Sequence, residues 1–410
     1  FQTLGILVGS IWAYYELGWG GYWFWDPVEN SSLMPWFLMT ALLHSILVLE
    51  KKDSLYLWVI ALSILTFTMS VTGTFLVRSG ILNSVHTFAN DPSRGLFILV
   101  FLSLMIFLSL YVFYKFSPKE KTDKFELFSK EFFILTNNWF MTFFLITVLI
   151  GTIYPIFLEI IANENISVGP PYYIAILAPF VIPLLFFMSY APQANWNVSK
   201  STKTRRFLTI LFLSVALIFI FIYFTNEKNI LINLILLSSI YLILQTFLDL
   251  TNNIGKKNFS LYSSIFSHLG FGLLILFISL NSIFSVDHDL NIKIGEKKKI
   301  GNFEITLDDL HIYKKSNYKT YVGNVTVRNK KNNSLEFMKP EIRIYDQPET
   351  ITYEASIKSN ILADTYVTMS NISRSEFYNI KLQKKPFMNL IWFSTLLIAF
   401  GVVIRMLEKR

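Results

Sequence analysis

The sequence predicts an α-helical polytopic membrane protein with a small extramembrane β domain, either a barrel or a sandwich. Three observations predict it. Of 410 residues, 53% are hydrophobic, 17% aromatic and only 16% charged, which is not a soluble globular composition. Apolar runs long enough, or nearly long enough, to cross a bilayer recur along the chain. Between residues 285 and 385 they give way to short alternations of apolar and polar residues, the pattern of half-buried strands.

The apolar runs lie at 1–17, 34–50, 55–77, 95–116, 138–160, 173–191, 207–225, 230–249, 260–282 and 386–405. Ten helices are expected from them. The first run is short and the chain opens on Phe1 within it, so an N-terminal part is expected to be missing. The expected layout is a membrane bundle over 1–284 with nine candidate transmembrane helices, a β domain over 285–385, and a last helix with a cytoplasmic tail over 386–410. Within the β domain the alternation is clearest at 303–307, 321–327, 342–345 and 377–382, with a turn near Asn332 and Asn333. The charged stretch 117–131, with Phe125, Leu127 and Phe128 interspersed, suits a helix lying on the membrane surface.

Lysine and arginine in the short connections orient the bundle. Alternate loops carry sixteen basic residues on one side and three, Arg78, Arg94 and Lys228, on the other. The sixteen mark the cytoplasm. The stretch 19–30, the loop 79–94 and the β domain are therefore expected on the opposite side. The formal charge of +8 is this topology signal plus seventeen basic residues within 285–385, and nothing in its placement points to nucleic acid. There is no cysteine, so any thiol chemistry needs a sulfur from a partner.

Residues 19–30 read WGGYWFWDPVEN. Gly20 and Gly21 allow a turn and a close backbone approach, and Trp19, Tyr22, Trp23 and Trp25 offer broad apolar faces with polar edges, which suits a large planar ligand. The competing reading is an interfacial aromatic belt, but a belt needs neither the density nor the glycines. Asp26, Pro27 and Glu29 have the form of a helix start, with Asp as N-cap and Glu three residues on.

Two of the five histidines fall inside apolar runs, where an ionisable side chain is by default a functional candidate and neutral imidazole is a good iron ligand. His44 lies about 10 Å along its helix from Lys51, and His268 about 16 Å from Lys257. These depths are close enough for one bis-histidine haem. Small residues around His268 (Ser263, Ser264, Ser267, Gly270, Gly272) would admit a macrocycle, or equally a close helix neighbour. His86 sits on the edge of a loop flanked by Arg78 and Arg94, which would find carboxylates such as haem propionates, or would serve as interfacial anchors. His288 and His311 read as ordinary residues of the β segment.

The run WGGYWFWDPVENSSLMPW, followed by His44 and the SVHTFANDP loop, resembles the WWD motif of haem-handling proteins. The motif alone fits CcmC and CcsA as well. The His44 and His268 pair, SKEFFILTNNW at 129–139 and KPFMNLIWF at 385–393 extend the resemblance to the CcmF family of bacterial cytochrome c maturation over nearly the whole chain. A paralogue in nitrite reductase maturation shares these features.

The resemblance implies a bacterial inner-membrane protein with the WWD segment and β domain in the periplasm. It implies a substrate haem cradled by Trp19, Gly20, Gly21, Tyr22, Trp23, Trp25 and Asp26, with Arg78 and Arg94 on its propionates and His86 as an axial ligand. The second periplasmic ligand of the family lies upstream of this motif. His44 and His268 match the pair holding a permanent haem b. Tyr22 stands where relatives often carry Trp. The implied reaction joins haem vinyl groups to the two CXXCH thiols of apocytochrome c. Haem would come from a chaperone (CcmE-like), the apocytochrome from a thiol-handling partner (CcmH-like), and electrons from quinol through the membrane haem. Other readings of the residues are a haem exporter or relay without ligation chemistry, and a structural subunit with belt aromatics and packing histidines.

Overall fold

The computed structural model describes residues 1–79, 92–117, 126–163, 166–196, 204–256, 258–331, 333–347, 349–371 and 376–407. Its helices are α1 (Gln2–Glu16), α2 (Pro27–Lys52), α3 (Tyr56–Arg78), α4 (Pro92–Phe116), α5 (Lys130–Ala162), α6 (Pro170–Tyr190), α7 (Thr204–Thr225), α8 (Ile230–Asn252), α9 (Phe259–Phe284) and α10 (Met388–Met406). Among the described residues nine, α2 to α10, are long and apolar enough to cross a membrane, so the chain is a multi-pass membrane protein. Helix α1 has fifteen residues, about 22 Å against a hydrocarbon core of about 30 Å.

Helices α2 and α5 start well before their apolar runs, at 27 against 34 and at 130 against 138, because caps rather than hydropathy set their ends. Helix α2 begins at Pro27, capped by Asp26, and its first turn is polar. Helix α5 begins at Lys130, where the Ser129 side chain accepts from the Phe132 amide at 3.1 Å. This overturns part of the expected surface helix over 117–131. Residues 118–125 lie outside the described residues, 126–129 form a turn, and Lys130 and Glu131 belong to α5.

The chain divides into two compact units, Phe1–Ile6 with Trp23–Gly272 and Ile398–Arg410, and Leu7–Tyr22 with Leu273–Leu397. In the first unit α2 packs on α3 and α5, and α8 packs on α6 and α7. Its core runs through Leu38 and Ala41 of α2, Leu62 of α3, Val148 of α5, and Tyr173 and Leu184 of α6. Lipid offers no hydrophobic drive between helices, so such contacts rest on close packing and buried polar pairs. One pair is Asn138 of α5 donating to the Ser45 hydroxyl of α2 at 2.8 Å, both fully buried. Helix α4, by contrast, leaves Phe97, Leu104 and Phe107 exposed, as a lipid-facing helix should.

Among the described residues the second unit holds ten strands in two antiparallel sheets. Strands β1 (Val286–Ile292), β10 (Tyr378–Pro386), β9 (Ala363–Asn371) and β8 (Ser356–Lys358) pair in that order. The other sheet runs β2 (Lys297–Ile300), β3 (Phe303–Lys314), β4 (Tyr318–Asn329), β6 (Glu341–Asp346) and β7 (Glu349–Glu354), with β5 (Ser334–Met338) also on β4. Ile292, Val367, Ile380 and Leu382 of the first sheet and Ile305, Leu307, Val325 and Val327 of the second share one core, which makes it a sandwich. The expected turn falls between β4 and β5, with Asn333 in the left-handed region at φ +53° and Asn332 outside the described residues.

Candidate functional site

In the first unit His44 of α2 and His268 of α9 face each other. Their ring centres are 6.4 Å apart and their planes differ by 18°. Two metal–imidazole bonds of about 2 Å and about 1.1 Å from each ring centre to its nitrogen sum to about 6.2 Å, so the rings are spaced as two imidazoles sharing one metal ion would be. His44 Nδ1 donates a hydrogen bond to the Thr40 carbonyl at 2.8 Å, which in the neutral ring leaves the lone pair on Nε2. His268 Nδ1 is buried with no hydrogen-bond partner. Among the described residues no group of three or more His, Asp or Glu is placed to hold a metal ion. A pair alone suits an iron that brings its other four donors, as haem iron does.

The seat of each histidine is fixed by its neighbours. The Asn138–Ser45 bond holds α2 to α5 one residue from His44. One residue before His268, Ser267 donates to the Ile398 carbonyl of α10 at 3.3 Å, and a Cβ added to Gly401 would lie 2.6 Å from the Ser267 nitrogen. Helices α9 and α10 therefore touch backbone to backbone beside His268.

Trp23 to Asn30 belong to the same unit. The expected cap is present in full: Val28 N donates to Asp26 at 3.0 Å, and Glu29 accepts from Asp26 N at 3.1 Å and Phe24 N at 2.8 Å. Trp25 has φ +58°, an outlier for a bulky residue. Its ring stacks on Tyr173 of α6 at 4.3 Å and 8°, and meets Trp23 edge-on at 6.1 Å. Asn30, fully buried, shares the two N–H bonds of its amide nitrogen among the Trp25 carbonyl (3.0 Å), Thr152 Oγ1 (3.1 Å) and the Tyr173 hydroxyl (2.9 Å), while its Oδ1 has no partner. These partners lie up to 143 residues away. The visible signal for Asn30 was an amide entering an apolar helix.

Arg78 ends α3 and is exposed, and with Val28, Ser31 and Ser32 of α2 it lines a cleft of about 350 Å³. A Cβ on Gly95 of α4 would meet Ser79 Cα at 2.8 Å, so the α3 and α4 ends that carry Arg78 and exposed Arg94 converge. His86 lies outside the described residues.

Trp19 to Tyr22 belong to the second unit. Trp19 and Gly21 are half-buried. Gly20, at φ +76°, makes its close approach to the Gln383 side chain of β10. Tyr22 packs edge-on to Trp392 at 6.0 Å, and burial pushes its phenol up. In the same cluster Tyr14 donates to Asp364 at 3.2 Å, and burial raises the Asp364 carboxyl above the ordinary carboxylate range. Of the remaining histidines, His311 is half exposed beside Asp309, 3.3 Å away, and His288 abuts Phe303 within the sandwich.

Residues 1–82 match the family model described as cytochrome C assembly protein, and residues 283–386 match the CcmF C-terminal beta-sandwich. The cytochrome c-type biogenesis proteins CcmF of Pseudomonas aeruginosa and of Escherichia coli K12 are 34% and 33% identical to the chain over its whole length. The chain spans 64% of each. The cytochrome c-type biogenesis protein NrfE of Haemophilus influenzae is 30% identical over 98% of the chain and 64% of its own length. A solved structure titled cytochrome c heme lyase CcmF has the same fold, with a TM-score of 0.77 at 22% identity over 99% of the chain and 64% of that structure. Matched along its full length by relatives of one kind, and by a model of their assembly segment and of their C-terminal beta-sandwich, the chain is similar to the CcmF family of cytochrome c-type biogenesis proteins.

Proposed function

We propose that the chain is the haem-attaching component of bacterial cytochrome c maturation. It takes haem from a chaperone (CcmE-like) and presents it to the CXXCH thiols of apocytochrome c, held by a thiol-handling partner (CcmH-like). The observation that carries this reading is the facing His44 and His268 pair, 6.4 Å apart, on a helix that begins at the Trp23–Trp25 segment. The eighteen residues from Asp26 to His44 span about 27 Å, so α2 serves both ends of a bilayer. The matching relatives bear the name of cytochrome c-type biogenesis proteins, and the solved structure that of a haem lyase.

In this reading Trp23 and Trp25, with Trp19, Gly20, Gly21, Tyr22 and Asp26, form the periplasmic seat of the substrate haem. Arg78 and Arg94 pair with its two carboxylates and His86 ligates its iron. The thiol S–H adds across a vinyl double bond: a carbon–sulfur bond forms, the proton passes to the other vinyl carbon, and no group leaves. The chain brings no cysteine, so both sulfurs are the apocytochrome's. Its own contribution is positional, holding the vinyl edge against the peptide. His44 and His268 hold a haem b, which when bound supplies one-electron chemistry, with quinol as the donor that keeps the substrate iron ferrous.

The test is a reduced-minus-oxidised absorption spectrum of the purified full-length protein beside His44→Ala and His268→Ala. A b-type spectrum present in the wild type and absent from both variants is expected. No haem in the wild type would overturn the membrane site and return the chain to a relay or scaffold.

A further inference from the structure

Trp25 occupies a backbone conformation that large L residues avoid, and such conformations persist only where the surroundings over-determine them. Here three helices supply the constraint. Asn30 of α2 binds the Trp25 carbonyl, and the same amide reaches Thr152 of α5 and the Tyr173 hydroxyl of α6. Thr152 is itself tied to the Val148 carbonyl at 2.7 Å, so its oxygen is free to accept. Tyr173, 1% exposed, lays its ring parallel to Trp25. Room for that ring exists because residue 151 is glycine: a Cβ there would lie 2.7 Å from the Tyr173 hydroxyl. One face of Trp25 is thereby covered by Tyr173, Trp23 meets the ring edge-on, and Trp25 as a whole remains half-buried.

We propose that Asn30 and Tyr173 are positioning residues that lock Trp25 in the left-handed conformation and so set the plane of the ring against which the porphyrin is seated. This rests on the reading of the Trp23–Trp25 segment as a haem seat. Helix α6, which carries no residue of the motif, thus sets how well the motif holds its ligand.

The test uses the full-length protein and hemin as the added ligand. Variants are Asn30→Ala, Tyr173→Phe, Trp25→Gly and the double variant Asn30→Ala with Trp25→Gly. Asn30→Ala should weaken hemin binding about tenfold and Tyr173→Phe, which keeps the stack, about threefold, while the membrane haem spectrum stays unchanged and certifies the fold. Asn30→Ala should also lower the melting temperature, and this drop should largely vanish in the Trp25→Gly background, because glycine adopts the left-handed region without a clamp. An equal drop in both backgrounds would overturn the proposal, since Asn30 would then act elsewhere. Coupled melting with hemin affinity unchanged in every variant, Trp25→Gly included, would leave a clamp but refute the haem seat. Coupled melting with affinity lost only in Trp25→Gly would refute the positioning role alone.

Discussion

The His44–His268 pair and the Trp23–Asn30 segment hang on the same helix and are built on opposite logics. The histidines sit on regular helices with relaxed backbone and keep ring nitrogens unused: His268 Nδ1 has no partner, and His44 spends only Nδ1. In the segment most polar atoms are tied to its own backbone. Glu29 takes two amides, Asp26 caps the helix and Asn30 Nδ2 holds the strained Trp25, while Asn30 Oδ1 stays buried without a partner. A ligating site must leave atoms free, whereas a seat for a flat ligand must tie its atoms down so that the faces stay put.

The comparison is broken most directly at the pair. Removing either imidazole should abolish the b-type absorption almost completely, whereas His86→Ala should weaken only the haem delivered for attachment. One haem lost equally in all three variants would mean a single site. A smaller effect sharpens the same contrast: Asn138→Ala removes the bond to Ser45 and should cost about 0.6 to 1.7 kcal/mol, shifting the b-type spectrum while hemin binding at the segment is unchanged. Conversely Asp26→Ala removes the cap of α2 and should cost about 1 kcal/mol, read as a lower melting temperature and weaker hemin binding with the b-type spectrum intact. The smallest effect concerns the Trp19–Tyr22 half, where Tyr22 shares a cluster with Tyr14, the donor to Asp364. The Asp364 carboxyl is raised in the folded state, so its protonated form stabilises the fold at low pH and that contribution is lost as pH climbs out of the ordinary carboxylate range. Asp364→Asn should flatten this slope in melting curves taken across that range.

Much of the fold was legible because a membrane makes hydropathy decisive: the nine long helices and the alternating strands follow directly from the runs. Helix starts were less so. Polar Asn30, Ser31 and Ser32 hid the first turn of α2, and charged Lys130 hid that of α5, since capping depends on single side chains rather than on averages. At the site, the cap of Asp26 and Glu29 could be read because its partners are three residues apart. His44 and His268 could be paired because helix rise turns sequence distance into depth. The stack of Trp25 on Tyr173 and the seat of Gly20 against Gln383 could not, because each depends on a partner more than a hundred residues away with no pattern linking the two, and the left-handed Trp25 could not because its lock through Asn30 runs on to Thr152 and Tyr173.

The backbone contact at Gly401 carries a consequence for the order of manufacture. His268 is made 133 residues before the glycine that its helix leans on, about ten seconds of synthesis. Until α10 is in the bilayer, α9 lacks the neighbour that sets it, and the pair cannot close to its final spacing. If the pair holds iron as proposed, that iron is received only after the sandwich between α9 and α10 has been translated, so that a nascent chain stalled within the sandwich would be an empty one.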